Sequence, residues 1–380
     1  MPEISYRVAK PSDRWELLDF ANFVFSQAHR PHDFRKLLPK VYGDAVTDEE
    51  MAACHYIAMR DGRIKALACC PTITVDFAGT PLEVGTVGTV SVHPYARGEG
   101  HMRFLMHMMI DDMRQKGVDA LVLGGQRQRY NYYGFEVAGE EIAFSVNRTN
   151  MRHVFGGASA GDIRFDEMHS GDGRIEAAYA LYMEQPLHAE RPLDSFLEIA
   201  RSWSASVYAV MRGDQMLGYV CSGGKDSLSE VVLEDEATLP QIIGAWLSIM
   251  GADSVRIPVK PHETQRIARL SEFAENAEFP FEEMILPLNW ANCMRAGLSY
   301  KALYEVLEDG ERTYCLDGQV VRIAVEDGIA SVEEMEVGAV CDVTLSGLEA
   351  VRAIYSPLAR FVGREKWMPL PFNLSAQDKF

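Results

Sequence analysis

The sequence predicts an α+β fold made of two related units and a smaller third one. Three observations carry that prediction. Strand and helix signals open as βα, pass into an antiparallel meander and return as βαβ, so a mixed central sheet with flanking helices is expected rather than a continuous parallel alternation. A hairpin-length segment recurs: Tyr56-Ile-Ala-Met-Arg60 returns 152 residues later as Tyr208-Ala-Val-Met-Arg212, and each copy runs through a Gly/Asp turn to Cys69 or Cys221. From about Pro287 the texture changes to short strands separated by acidic turns. At 380 residues the chain exceeds one ordinary core. The expected divisions are 1–155, 156–287 and 288–380, the first linker being the small, turn-rich Gly156–Gly161.

In order, Ile4–Ala9 reads as a strand. Pro11-Ser12-Asp13 reads as a helix start, followed by Trp15, Leu18, Ala21 and Phe25 at helical spacing. Tyr56–Met59 and Ile64–Cys70 flank an Asp-Gly turn. Thr72–Phe77 then precedes one long strand-like run, Leu82–Val92. Between Gly100 and Lys116, Phe104, Leu105, Met108, Met109 and Met113 fall on one helical face, with Gly117 at the C-cap position. Ala120–Leu123 reads as a strand. The second copy continues through a helix at Leu239–Met250, a strand at Ser254–Val259 and a helix at Glu263–Glu275. The third unit shows strands at Val320–Val325, Gly328–Val332 and Asp342–Leu345, a helix at Leu348–Tyr355, and an apolar, proline-ordered tail from Trp367 that is expected to pack.

Composition narrows the function classes. Apolar residues are 47% and charged residues 24%, a globular balance. No stretch approaches the roughly 18–20 apolar residues of a membrane span, and the start, with scattered charges, carries no secretory h-region. The seven cysteines are odd in number and none are paired as C-x-x-C; reduced core thiols in a cytoplasmic protein are expected, with no metal site. The net charge of −18 repels nucleic acid. It serves solubility, or attraction of a cationic, amine-bearing substrate, and charge alone does not choose between them.

The informative run is Val90-Ser91-Val92-His93-Pro94-Tyr95-Ala96-Arg97-Gly98-Glu99-Gly100-His101-Met102-Arg103. An apolar strand ends at Pro94, and a glycine turn opens an amphipathic helix. Glycines let the backbone approach an anion, and the free N–H groups and dipole of the first turn attract it. Arg97 adds a donor. The pattern reads as a pyrophosphate cradle. Its bland alternative is an ordinary strand–turn–helix.

This string resembles motif A of the GNAT acetyltransferases, R/Q-x-x-G-x-G/A, with Met102 in place of the final small residue. It is similar to the Eis-type branch, which tolerates a larger apolar residue there. Tyr130-Asn-Tyr-Tyr-Gly134-Phe135 resembles the family's Y-x-x-x-G-F. The resemblance extends along the whole chain. It implies a catalytic GNAT domain, a degenerate second GNAT-like domain that binds no CoA because it lacks the glycine string, and a C-terminal domain similar to sterol carrier protein 2. It also implies acetyl-CoA as co-substrate, a primary amine on a small cationic or peptide acceptor, and a homo-oligomer, a hexamer in Eis-type proteins. Tyr130 would protonate the departing thiolate. Backbone N–H groups at Val90–Val92 would stabilise the oxyanion. The chain's terminal carboxylate, on Phe380, would serve the amine as base or by orienting it.

Asp33 and Phe34, in the polar-aromatic loop His29-Arg-Pro-His32-Asp-Phe34, are candidate acceptor contacts; as a metal site H-x-x-H-D lacks a third cluster. Asp378 could offer a carboxylate nearby. Lys379 stands where the aminoglycoside-acetylating relatives carry an acid. His93 and His101 read as incidental loop positions. The rival function is a binding or scaffold protein, with an apolar ligand in the C-terminal domain and a vestigial CoA site.

Overall fold

The computed structural model describes residues 4–27, 30–280, 283–363 and 365–380. Its strands, in order, are β1 (Ile4–Val8), β2 (His55–Arg60), β3 (Arg63–Cys69), β4 (Thr72–Phe77), β5 (Pro81–Thr86), β6 (Gly88–Val92), β7 (Ala120–Gly124), β8 (Glu136–Val137), β9 (Ile142–Asn147), β10 (Ile163–Glu167) and β11 (Leu187–Ala189). There follow β12 (Ser206–Arg212), β13 (Gln215–Gly224), β14 (Ser227–Leu233), β15 (Ser254–Val259), β16 (Asn276–Glu278), β17 (Glu283–Pro287), β18 (Gly310–Leu316), β19 (Gln319–Glu326), β20 (Ile329–Met335) and β21 (Val343–Leu345). They form an antiparallel sheet ordered β1-β2-β3-β6 and mixed sheets ordered β11-β4-β5-β7-β17-β8, β10-β12-β13-β14-β15-β9-β16 and β20-β19-β18-β21. The α+β expectation holds. Among the described residues no helix is long and apolar enough to cross a membrane.

The long run expected from Leu82 to Val92 breaks into two strands that belong to different sheets. β5 lies parallel to β7, and the Val87 N–H still reaches the Val122 carbonyl at 2.8 Å. The chain then swings away, with Thr89 at a positive φ of 41°, and β6 pairs with β3 instead, Leu67 opposite Ser91. Gly85 permits the crowding at the fork, since a Cβ there would lie 2.5 Å from Leu121 and 2.7 Å from Cys70. The sheet therefore splays between β6 and β7, and the helix His101–Gln115 starts just beyond the split.

The repeat is physical. β2–β3 and β12–β13 are both antiparallel hairpins, and each carries a register shift at the matching place, between Ala58 and Met59 in one and Val210 and Met211 in the other. β1 lies along β2 with Ile4 opposite Arg60, as β10 lies along β12 with Ile163 opposite Arg212. In the second copy the helix Leu239–Ile249 is entered through Asp235-Glu236-Ala237-Thr238, a turn without glycine whose carboxylates repel phosphate.

The expected division at 155/156 is crossed by hydrogen-bonded strands. β9 lies in the second unit's sheet, between β15 and β16. β17, from the end of that unit, fills the gap between β7 and β8 in the first. Each of these strands is apolar enough to need two neighbours, and only the other unit supplies them. β11 likewise extends the first unit's sheet through β4. The third unit shares one core with that sheet: the helix Trp290–Lys301 packs between β4–β5 and β20, and Trp290, Tyr314, Tyr355, Phe77 and Val84 join one cluster. The tail expected to pack does so without regular structure, burying Trp367, Met368, Leu370, Phe372 and Leu374.

Two expected faces rotate. Trp15 is exposed, and the first helix, Arg14–Ser26, instead buries Leu17, Leu18, Phe20 and Ala21, because its approach to β3 and β6 selects those positions. In His101–Gln115 the buried set is His101, Leu105, Met106, Met109, Ile110 and Met113, while Phe104 is half-exposed and stacks on Tyr6 at 3.8 Å. Gly117 caps this helix with φ 75°, the Val118 N–H returning to the Met113 carbonyl at 3.1 Å.

Candidate active site

The glycine turn is built by conformation and not by crowding. Gly98 and Gly100 have φ of 85° and 84°, with nothing within 4 Å of where a Cβ would stand. Two left-handed residues around Glu99 turn successive N–H groups to one side, which is the geometry of an anion nest. No backbone N–H from Arg97 to Arg103 has a protein acceptor among the described residues, and the first helical bond is Phe104 N–H to the Gly100 carbonyl, 3.2 Å. This run of open donors at a fifteen-residue helix N-terminus fits a pyrophosphate.

The side chains of the string divide. Arg97 and Arg103 are exposed, and neither forms an ion pair among the described residues. Glu99 and His101, both among the expected binding positions, have side chains paired within the protein. The Glu99 carboxylate pairs with Arg60, which holds it below the usual carboxylate range, and with His101 Nε2 at 3.2 Å. The His101 ring is buried and its Nδ1 meets the Tyr6 hydroxyl at 2.9 Å. These two residues bring their backbone to the nest while their side chains fasten the turn to β1 and β2. Met102 is partly buried against the core around Leu105, so the larger residue costs the turn nothing.

On β6, Val90 and Val92 are half-buried and Ser91 is buried, its Oγ without a hydrogen-bond partner among the described residues. β6 bonds to β3 along one edge only. Its other edge faces the split toward β7, where the oxyanion donors are expected.

Tyr130 ends the short helix Arg127–Tyr130. It is buried, and burial raises its phenol above the ordinary value, with Arg129 opposing. A phenol kept protonated is suited to giving a proton. Its ring lies against Gly125, where a Cβ would come within 2.9 Å, and meets Phe135 edge-on at 6.4 Å. Tyr133 meets His107 of the long helix at 5.5 Å. The segment is held from the far side as well: buried Glu136 accepts from Arg127 Nη2 at 2.8 Å and from Arg352 Nε at 2.6 Å. Sequence reading missed this link to the C-terminal unit, because nothing in the spacing joins residues 136 and 352.

Phe380 lies on β6. A Cβ built on Gly88 would stand 1.4 Å from its Cδ1, so the terminal ring occupies the place of a side chain at position 88. It also packs edge-on to Tyr42 at 6.4 Å. The terminal ring and the splayed strand are thereby brought together, a contact that spacing and periodicity do not record. The same holds for the anchors of the tail: Asp378, noted as a possible carboxylate, is buried on Arg191.

The remaining candidates are less direct. Asp33 is about half exposed and pairs with Lys36 at 3.2 Å. Phe34 is buried among Phe25 and Tyr42, its N–H bonded to Asn22, so it forms the floor of this region and not its surface. His29 lies outside the described residues. His93, set aside from sequence, sits among Phe20, Phe23 and Tyr95, the last two exposed, at ring distances of 6.4, 5.6 and 5.7 Å.

The thiols hold one surprise. Cys54, His55 and Cys69 converge, with Sγ–Sγ 3.5 Å and His55 Nδ1 3.4 and 3.7 Å from the two sulfurs. His55 Nδ1 also lies 2.5 Å from the Met51 carbonyl, which places its proton there and leaves Nε2 to accept from Tyr42, itself bonded to Thr89 beside Phe380. A cavity of about 970 Å³ adjoins this cluster, lined by Cys54, Cys70 and Lys116 on one side and Tyr179, Arg191 and Ile199 on the other.

Comparison with known proteins agrees with this geometry. Residues 5–138 match the acetyltransferase (GNAT) domain family. Among solved structures the chain is similar to a GCN5-related N-acetyltransferase from Kribbella flavida, with 17% identity, TM-score 0.64, and 95% of this chain and 92% of that one covered. It is similar to another from Anabaena variabilis, with 13% identity, TM-score 0.67 and 95% and 93% covered. It is also similar to Eis1 from Mycobacterium abscessus, with 14% identity, TM-score 0.63 and 100% of both chains covered. At these identities the likeness is one of fold. No curated protein matches the sequence. Residues 5–138 thus match the acetyltransferase (GNAT) domain family, within a chain whose fold is similar along its length to N-acetyltransferases of known structure.

Proposed function

We propose that this protein is an acetyl-CoA-dependent N-acetyltransferase of the Eis type, moving an acetyl group to a primary amine on a small cationic or peptide acceptor by direct attack on the thioester. The observation that carries the reading is the run of open N–H donors from Arg97 to Arg103 at a glycine-nested helix start beside a splayed strand. The thioester supplies the acyl group. The residues of the chain do the rest. The nest, with Arg97 and Arg103, holds the pyrophosphate. The free edge of β6 at Val90–Val92 steadies the carbonyl oxygen as charge develops. Tyr130 gives its proton to the leaving sulfur. The carboxylate of Phe380, whose ring lies on β6, orients the amine or takes its proton. The exposed Phe23 and Tyr95 and the net charge of −18 suit a cationic acceptor.

The deciding experiment is a thiol-release assay with an unmodified C-terminus, run against polyamines, aminoglycosides, amino-terminal peptides and lysine peptides. Turnover on any amine supports the reading and sorts the acceptor. Absence of both turnover and acetyl-CoA binding by calorimetry ends it. On the amine so found, Tyr130→Phe is expected to lower kcat by about 10²-fold or more, and an unchanged kcat would remove Tyr130 as the acid.

Self-association belongs to the same reading. It is supported by bare apolar side chains in the C-terminal unit, including Val337, Val340, Phe361 and Val362. Sedimentation at micromolar concentration is expected to give an oligomer, and a monomer would exclude it.

A further inference from the structure

The last six residues of the chain are gripped by the second unit. Arg191, just past β11, is fully buried. Its guanidinium bridges two carboxylates: Nε and Nη2 donate to Asp378 at 2.8 and 2.9 Å, while Nη1 and Nη2 donate to Glu230 at 3.1 and 2.8 Å. The same cation lies 4.0 Å over the Tyr182 ring. Glu230, on β14, also accepts from the Tyr219 hydroxyl at 2.7 Å and from Ser375 Oγ at 2.6 Å. Gln377 Nε2 donates to Ser229 Oγ at 2.7 Å. From the first unit, Lys40 Nζ reaches the carbonyls of Gln377 and Lys379, each at 2.7 Å. The next residue is Phe380, lying on Gly88.

Burying one guanidinium and two carboxylates costs desolvation that the ion pairs roughly offset, so such a network yields little net stability. What it yields is geometry: a planar fork fixes two carboxylates relative to each other, and here one is on the second unit and one on the tail. The turn that opens the second unit's long helix, Glu236–Thr238, has no glycine.

We infer that the second GNAT-like unit is the receptor for the chain's own C-terminus, with Arg191 and Glu230 as positioning residues that set where Phe380 lies on β6. The inference rests on the proposed role of the Phe380 carboxylate only for its catalytic consequence; the grip itself is independent of that role.

The test uses full-length chains and a carboxypeptidase time course read by intact mass, which needs no turnover. Phe380 is expected to be released from the folded wild type far more slowly than from the urea-unfolded chain. Asp378→Asn keeps the shape but takes the tail's charge away from Arg191, which stays paired with Glu230, and should speed release roughly 10- to 100-fold while the melt stays cooperative. If Asp378→Asn does not fold, Gln377→Ala removes the bond to Ser229 without unpairing a charge and should give a smaller increase. In turnover, Asp378→Asn should lower kcat with the KM for acetyl-CoA unchanged. Equal release from wild type and unfolded chain, or variants as resistant as wild type, would overturn the inference. So would an Asp378→Asn loss that tracks stability and raises the acetyl-CoA KM in parallel. Protection that the variants abolish, together with full turnover after deletion of Phe380, would keep the grip and discard the terminal carboxylate as a participant in the reaction.

Discussion

Gly88 and Phe380 make a contact as specific as any in the site, because the ring fills the space a side chain would take. Gly88 has no positive φ, so alanine there strains nothing in its own backbone. Gly88→Ala is therefore expected to expel Phe380 and lower kcat as much as deleting it, with a melting temperature within a few degrees of wild type; retention of full activity would separate the tail from the reaction. A second residue-scale effect is acid sensitivity. Burial pushes Glu230 up, but the Arg191 guanidinium and the hydroxyls of Ser375 and Tyr219 override it and hold the carboxyl at about 2. His262, partly buried beside Lys260, is held down to about 3 by loss of solvent and by that cation. Both are depressed in the folded chain, so the unfolded state takes up protons first on acidification, and stability falls as pH drops. The loss begins near the ordinary histidine value and steepens below about 4.5 as Glu230 and the other carboxylates are protonated in the unfolded chain. Thermal melts from pH 7 to 3 should show this fall and its reduction in Glu230→Gln.

At the scale of elements, the glycine turn and the helix behind it act as one device. Gly100→Ala forces a left-handed φ on a residue with a Cβ, at roughly 1 kcal/mol. It also tilts the nest donors. The acetyl-CoA KM should rise several-fold with little change in kcat, and calorimetry of acetyl-CoA binding checks it directly. The turn itself was legible in the residues from Val90 to Arg103, because an anion nest made of one continuous segment writes its requirements into neighbouring positions. What the side chains of Glu99 and His101 do was not legible. Their partners, Arg60 and Tyr6, come from strands distant in sequence. The first helix's buried face was misread for a related reason, since the periodicity of Arg14–Ser26 admits more than one apolar stripe and packing against β3 and β6 chose among them.

For the whole molecule, the exchange of β9 and β17 makes the units mutually dependent. A fragment of residues 1–155 would leave β7 and β8 without β17 between them and would carry β9 unpaired, exposing an apolar strand and a sheet edge. It is expected to aggregate or fail to melt cooperatively, while the full chain unfolds in one principal calorimetric transition. A soluble fragment with a sharp melt would contradict that interdependence.

The sequence by itself determined the fold class, the repeat down to a shared hairpin register, the glycine turn that opens the long helix and the tyrosine after it. Each of these is a local pattern, fixed by the period of strands and helices and by the glycines a turn requires. Only the tertiary structure decided that one long strand-like run divides at a splay. It alone assigned β9 and β17 to each other's units, drew Cys54, His55 and Cys69 together, and carried the tail past Arg191 onto Gly88. Those features join residues tens to hundreds of positions apart, where the pairing is chosen by burial and charge neutralisation across surfaces that a linear pattern does not record.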